Sequence, residues 1–161
     1  MTTNNITRML DAKKIPYQSY ELPSEKLGAE ETALILNIPL ELVFKTIVVR
    51  RENKGKPILA VVPGTSEVDL KALAKVLGEK KLHLPTEHEA EQLTGLQAGG
   101  ISPLALINKG FQVVLDSSAS QFPEIHVSGG QRGLNIRLPV EALVHLTHAR
   151  LAAVSEIPSR S

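Results

Sequence analysis

Val43-Phe44-Lys45-Thr46-Ile47-Val48-Val49-Arg50 is followed by Glu52-Asn53-Lys54-Gly55-Lys56-Pro57 and then by Ile58 to Val62. β-Branched and aromatic residues on either side of a run rich in Gly, Pro and Asn predict two strands joined by a turn. Lys45 is the odd residue, with Val43 and Ile47 on its own pleat face. Two readings are open for it. A lysine in such a run either sits at an edge and reaches water, or projects from a rigid strand into a pocket.

A second hairpin is predicted around Val127-Ser128-Gly129-Gly130-Gln131-Arg132-Gly133-Leu134, with Glu124 to Val127 and Leu134 to Leu138 as its strands. Adjacent glycines let a backbone turn tightly or lie close against other atoms, with N–H groups free to donate. Arg132 adds a planar fork that fits carboxylate or phosphate. Another glycine pair, Gly99-Gly100, runs into Ile101-Ser102-Pro103. Each pair alone is a tight turn; together, Gly99, Gly100, Gly129 and Gly130 are candidates for two backbone walls of one pocket.

Outward from these turns, apolar spacing predicts helices from about Asn4 to Lys14, Gly28 to Asn37 and Asp69 to Leu77, from Thr86 through Leu93, and from Pro139 onward. Asp69 reads as an N-cap, and Thr86-Glu87-His88-Glu89 as a capping box. Further strands are predicted over Tyr17 to Leu22, Lys80 to Leu84, Ile101 to Ile107 and Phe111 to Asp116, with a frayed tail from Ser155 to Ser161. Strands outnumber helices and short turns join several of them. The expected fold is α+β: a mixed, largely antiparallel, curved or partly barrel-like sheet surrounded by helices, one domain over 1–161.

Composition narrows the function. The chain is 42% hydrophobic and 22% charged, with a net charge of +1, values of an ordinary globular domain and too mild for a strongly basic nucleic-acid binder. It has 0 Cys, which removes disulfides, thiolate metal sites and a cysteine nucleophile. The polar start Met1-Thr2-Thr3-Asn4-Asn5 and the lack of a membrane-length apolar run predict a soluble, cytoplasmic protein that does not engage the membrane. There is no phosphate-binding loop, no dinucleotide fingerprint and no metal spacing among His83, His88, His126, His145 and His148. His126 would share a strand face with Ser128, but a side-by-side pair lacks triad geometry. No cofactor and no metal are expected.

Phe44-Lys45-Thr46, Asp69-Leu70-Lys71, Gly95, Gly99-Gly100-Ile101-Ser102-Pro103-Leu104 and the octet from Val127 to Leu134, in that order, resemble the YbaK family. These are free-standing aminoacyl-tRNA deacylases related to the editing domain inserted in bacterial prolyl-tRNA synthetases. The resemblance runs from about Ile6 to Leu146 and implies an α+β domain with a mixed, partly barrel-like sheet. It implies hydrolysis of mischarged tRNA, in the best-known branch cysteinyl-tRNA bearing the proline anticodon. Lys45, Gly99 and Ser128 take the catalytic roles it implies: the lysine near the terminal adenosine phosphate and ester, the glycine backbone at the aminoacyl end, the serine lining the same pocket. Tyr20 and Thr46 match pocket positions, and Gly100, Gly129, Gly130 and Arg132 complete the expected substrate-binding set.

The family chemistry needs no protein nucleophile, because the thiol of a cysteinyl substrate can attack its own carbonyl and leave as a cyclic thiolactone. Branches acting on other amino acids position a water. The implied partners are the acceptor end of mischarged tRNA(Pro) and, as a delivery partner, prolyl-tRNA synthetase. Leu96-Gln97-Ala98, Ala105-Leu106-Ile107-Asn108, Gln131 and Asn135 depart from the best-known branch, where Lys and Asp are common at the last two positions. Removal of alanine or another small amino acid therefore stays open, as does a non-catalytic nucleotide- or tRNA-binding module built on the same pocket.

Overall fold

The structure, a computed structural model, describes residues 2–53 and 55–158. Lys54 in the first predicted turn and residues 159–161 of the predicted tail lie outside the described residues. Helix α1 (Asn5–Ala12) begins at Asn4, whose side chain accepts the Thr7 N–H while the Thr7 hydroxyl accepts the Asn4 N–H. Strand β1 (Gln18–Glu21) follows, then α2 (Ala29–Leu36), which ends at a left-handed Asn37. The first predicted hairpin forms from β2 (Phe44–Arg51) and β3 (Ile58–Pro63), antiparallel, with Lys45 opposite Val62. Next come β4 (Glu67–Val68), α3 (Leu70–Leu77), β5 (Leu82–His83) and α4 (Glu87–Thr94). Asp69 caps α3 by accepting the Ala72 N–H at 3.0 Å, and Thr86 caps α4 through the Glu89 N–H at 3.1 Å. The second half holds β6 (Gln112–Asp116), β7 (Glu124–Ser128), β8 (Leu134–Pro139), α5 (Val140–Thr147), β9 (Arg150–Ala152) and β10 (Ser155–Glu156).

Two sheets carry the fold. One is five-stranded in the order β5-β2-β3-β6-β9, mixed because β3–β6 and β6–β9 are parallel; the other is three-stranded and antiparallel, β1-β8-β7. β3 is buried along its whole length. Leu59 and Val61 pack into the core shared with β7, β8, α1 and α5, whereas Ile58, Ala60 and Val62 pack with Leu73 and Ala74 of α3. A strand buried on both faces reads as the continuous apolar run seen in the sequence.

A parallel bridge between Val43 and His126 joins the two sheets at one corner. Beyond it they part. Among the described residues β2 pairs with β3 from Phe44 to Val49 but meets β5 only at Arg50 and Arg51, so the stretch in between has a strand on one side alone.

Two expectations are corrected. Ile101 to Ile107 is not a strand: Pro103–Leu106 form a short 3-10 helix whose cap is Ser102, with Oγ accepting the Leu104 N–H at 3.2 Å. A cap followed directly by proline favours a helical turn, and proline cannot donate to a sheet ladder, so local chemistry overrides the apolar run. Ser155 and Glu156, expected in a frayed end, pair with Val68 and Glu67 of β4. The anchor is remote in sequence: buried Asp116 accepts the Val154 N–H at 2.9 Å and the Ser118 hydroxyl at 2.5 Å. No helix among the described residues is long and apolar enough to cross a membrane.

Asp116→Ala leaves the Val154 N–H buried without an acceptor. It is expected to lower unfolding free energy by about 2–3 kcal/mol in a urea titration, well above the ~0.5 kcal/mol of a neutral surface change.

Candidate functional site

Where the sheets part lies a cavity of about 420 Å³ whose lining includes Lys45, Thr46, Gly99, Ser128, Gly133 and Asn135. The opening residues of α2 (Ala29) and of α4 (Glu87) line it too. Lys45 is half-buried and among the described residues forms no ion pair, whereas Lys26 is paired with Glu87, Arg50 with Glu89, Arg51 with Glu79 and Arg137 with Glu124. Thr46 carries the one buried side-chain oxygen that lacks a hydrogen-bond partner among the described residues. Ser128 Oγ accepts the Gly130 N–H at 3.2 Å, which leaves its own hydroxyl proton uncommitted.

Gly99 sits in a turn whose other donors are spent. The Ala98 N–H goes to Glu91 Oε2 at 2.8 Å and the Gly100 N–H to Gln97 O at 2.8 Å, while the Gly99 N–H has no acceptor among the described residues. Its φ of +90° is one that only glycine adopts without strain, and a Cβ here would lie 3.2 Å from Lys26 Cα. The two glycine turns touch: a Cβ on Gly100 would fall 2.8 Å from Gln131 Cα. Arg132 pins them together, its Nε donating to Ala98 O at 2.7 Å.

The predicted site residues thus divide. Lys45, Thr46, Gly99 and Ser128 share the cavity wall. Gly100, Gly129, Gly130 and Arg132 are outside that lining; the Gly129 N–H is used by Leu134 O at 2.8 Å, and Gly130 lines a different groove with Ile6 and Met9. Tyr20 stands behind the wall, its ring 5.4 Å from that of His126 and its hydroxyl 2.6 Å from Gln18 Oε1.

Residues 24–146 match the family model described as an aminoacyl-tRNA editing domain. The chain belongs to that family. It is 39% identical over 153 residues, 94% of this chain and 92% of the relative, to an Enterococcus faecalis protein named "Putative Cys-tRNA(Pro)/Cys-tRNA(Cys) deacylase EbsC". It is also 26% identical over 113 residues to the proline–tRNA ligase of Geobacter metallireducens, matching 19% of that longer protein. A solved structure titled as a putative trans-editing enzyme for prolyl tRNA synthetase superposes with a TM-score of 0.79 at 26% identity, covering 97% of this chain and 99% of that one. The hypothetical protein APE2540 shares the fold, with a TM-score of 0.85 at 23% identity over 95% of this chain and all of that one.

Gly133 and Asn135, both on the cavity wall of this editing domain, were not among the predicted site residues. Register could have found the second: the octet closes a hairpin in which Ser128 faces Asn135, so placing one on the wall places the other. Asn135 is buried, and its Oδ1 lies 2.8 Å from Nδ1 of buried His126. Burial pushes the His126 pKa below its ordinary 6.5; the Asn135 contact opposes that, Arg137 adds to it and Glu124 opposes it. The neutral ring is thus the folded form at pH 7.

Two outcomes are expected of the editing domain. Gly99→Ala, forced to a positive φ, should cost about 1–2 kcal/mol of stability, read by thermal unfolding. A lowered histidine pKa contributes stability that is intact above the unfolded-state value near 6.5 and is lost as pH falls through the folded value. The melting temperature should therefore decline on acidification from pH 7 to pH 5, and less steeply in His126→Gln.

Proposed function

We propose that this chain is a trans-acting aminoacyl-tRNA deacylase that removes cysteine, or another small amino acid, from mischarged tRNA(Pro). The observation that carries the reading is one cavity lined by an unpaired, half-buried Lys45 and by Gly99, whose N–H is uncommitted. A half-buried ammonium on a rigid strand, with no carboxylate beside it, is available to pair with an anion that enters the cavity. The terminal adenosine phosphate of aminoacyl-tRNA is such an anion. A free N–H beside it suits the ester carbonyl, whose oxygen gains negative charge when the carbon is attacked. Ser128 supplies a hydroxyl for the ribose or the ester.

With a cysteinyl substrate the thiol sulfur attacks its own carbonyl carbon. The carbon–oxygen ester bond breaks, the proton lost by sulfur ends on the ribose oxygen, and tRNA leaves with a thiolactone as the other product. Lys45 and Gly99 act by holding phosphate and carbonyl in that geometry, without a protein proton transfer. The name of the Enterococcus relative, "Putative Cys-tRNA(Pro)/Cys-tRNA(Cys) deacylase EbsC", supports the cysteinyl class, and the likeness to the solved "putative trans-editing enzyme for prolyl tRNA synthetase" supports the proline tRNA. A net charge of +1 gives little general attraction for tRNA, which favours delivery by prolyl-tRNA synthetase in the cytoplasm.

Lys45→Ala should lower the deacylation rate of Cys-tRNA(Pro) by about 100-fold or more with an unchanged melting temperature. Released thiolactone rather than free cysteine marks the thiol route. Wild-type protein that leaves Cys-tRNA(Pro) and Ala-tRNA(Pro) intact, alone and with prolyl-tRNA synthetase, would mean a binding module instead of an enzyme.

A further inference from the structure

We propose that His126 is a positioning residue that orients the Asn135 amide, so that Asn135 Nδ2 donates a hydrogen bond to an acceptor oxygen of the bound aminoacyl ester. This rests on the deacylase reading and adds to it a donor and a residue that acts through that donor.

An asparagine side chain has one carbonyl and one amino group, and nothing intrinsic tells a cavity which of them it will meet. Here the choice is made from behind. Asn135 sits on the central strand β8, facing Ser128 on one side and Tyr20 on the other. Its Oδ1 is taken by His126 Nδ1 at 2.8 Å. Nδ2 has no acceptor among the described residues, yet it is not among the sealed, unpaired buried atoms, so it opens on the cavity that Asn135 lines. A neutral imidazole carries one N–H, and opposite a carbonyl oxygen that N–H belongs on Nδ1. The opposite arrangement would turn Oδ1 toward the ester, where two carbonyl oxygens repel.

His126 is itself held. Its backbone makes the bridge to Val43 that joins the two sheets, and its ring packs against Tyr20, whose hydroxyl is fixed by Gln18. On the outer side the Arg137–Glu124 pair, with Nη2 to Oε1 at 2.7 Å, closes the same strand face. A pair serving stability alone would spend both ends of the Asn135 amide inside the protein; this one leaves the donor end free beside Ser128 and Lys45.

The test has an arm that needs no substrate. Nitrogen-15 NMR of the His126 ring in wild-type protein should show a protonated Nδ1 and a bare Nε2 at pH 7; an Nε2–H tautomer overturns the proposal. In the second arm, His126→Phe should lower kcat on Cys-tRNA(Pro) about 10- to 50-fold with little change in KM, as expected for a donor that tightens in the transition state. His126→Gln, whose amide can still donate to Oδ1, should recover activity to within about 5-fold of wild type. In an Asn135→Ala background His126→Phe should cost nothing further, because the two act as one unit. Full activity of His126→Phe, or a loss that persists undiminished without Asn135, overturns the assignment while wild type still deacylates. Wild type inactive on every aminoacyl-tRNA overturns the deacylase reading and this assignment together.

Discussion

The structure depends on a strand that is fixed on one side and released on the other. β2 pairs with β3 from Phe44 to Val49, and β3 is buried on both faces, so its position is over-determined by two cores. On its second edge β2 is tied to β5 at Arg50, and Val43, the residue just before β2, bridges to His126 of β7; between those points the sheets diverge. A fully closed barrel would fill that gap with backbone hydrogen bonds and side chains. An incompletely closed one leaves a cavity with a rigid strand for a wall. Lys45 and Thr46 belong to that wall, and the same pairing that stabilises the hairpin fixes where they stand.

Around the gap, committed and uncommitted groups separate cleanly. Gly100, Gly129 and Gly130 spend their N–H groups on carbonyls or a hydroxyl of these turns, and Arg132 spends its Nε on Ala98 O. Their contacts hold the two glycine turns in register and leave the Gly99 N–H free between two satisfied neighbours. The same pattern recurs at Asn135, whose carbonyl end is engaged by His126. Groups that fold the site are bonded within the protein; groups that would meet a ligand are not. Preorganised donors of this kind need no rearrangement when charge develops on a substrate oxygen.

Most of this was legible where local chemistry decides. The hairpin from Phe44 to Pro63, the caps at Asp69 and Thr86 and the hairpin around Gly129-Gly130 all follow from turn and cap residues beside apolar runs. Where distant partners decide, the sequence was silent or misleading. Ser155 and Glu156 look like a loose end because their anchor, Asp116, is far away in the chain. The segment after Gly100 looks like a strand until Ser102-Pro103 is weighed as a cap and first turn. At the site, residue types singled out Lys45 and the glycine turns, and the family resemblance added Thr46 and Ser128; Lys45, Thr46, Gly99 and Ser128 line one cavity, but none of this could say which glycine N–H stays free. That depends on the hydrogen-bond inventory of two turns brought into contact by folding.

The central claim is that the gap between the two sheets receives the aminoacyl end of the substrate. A cysteinyl-adenosine analogue with an amide in place of the ester cannot be cleaved and can be titrated into nitrogen-15-labelled protein. Occupation of the gap predicts the largest shift changes at Lys45, Thr46, Gly99, Ser128 and Asn135. Changes confined to the groove beside Ile6, Met9 and Gln131, with the gap residues unmoved, would contradict the claim.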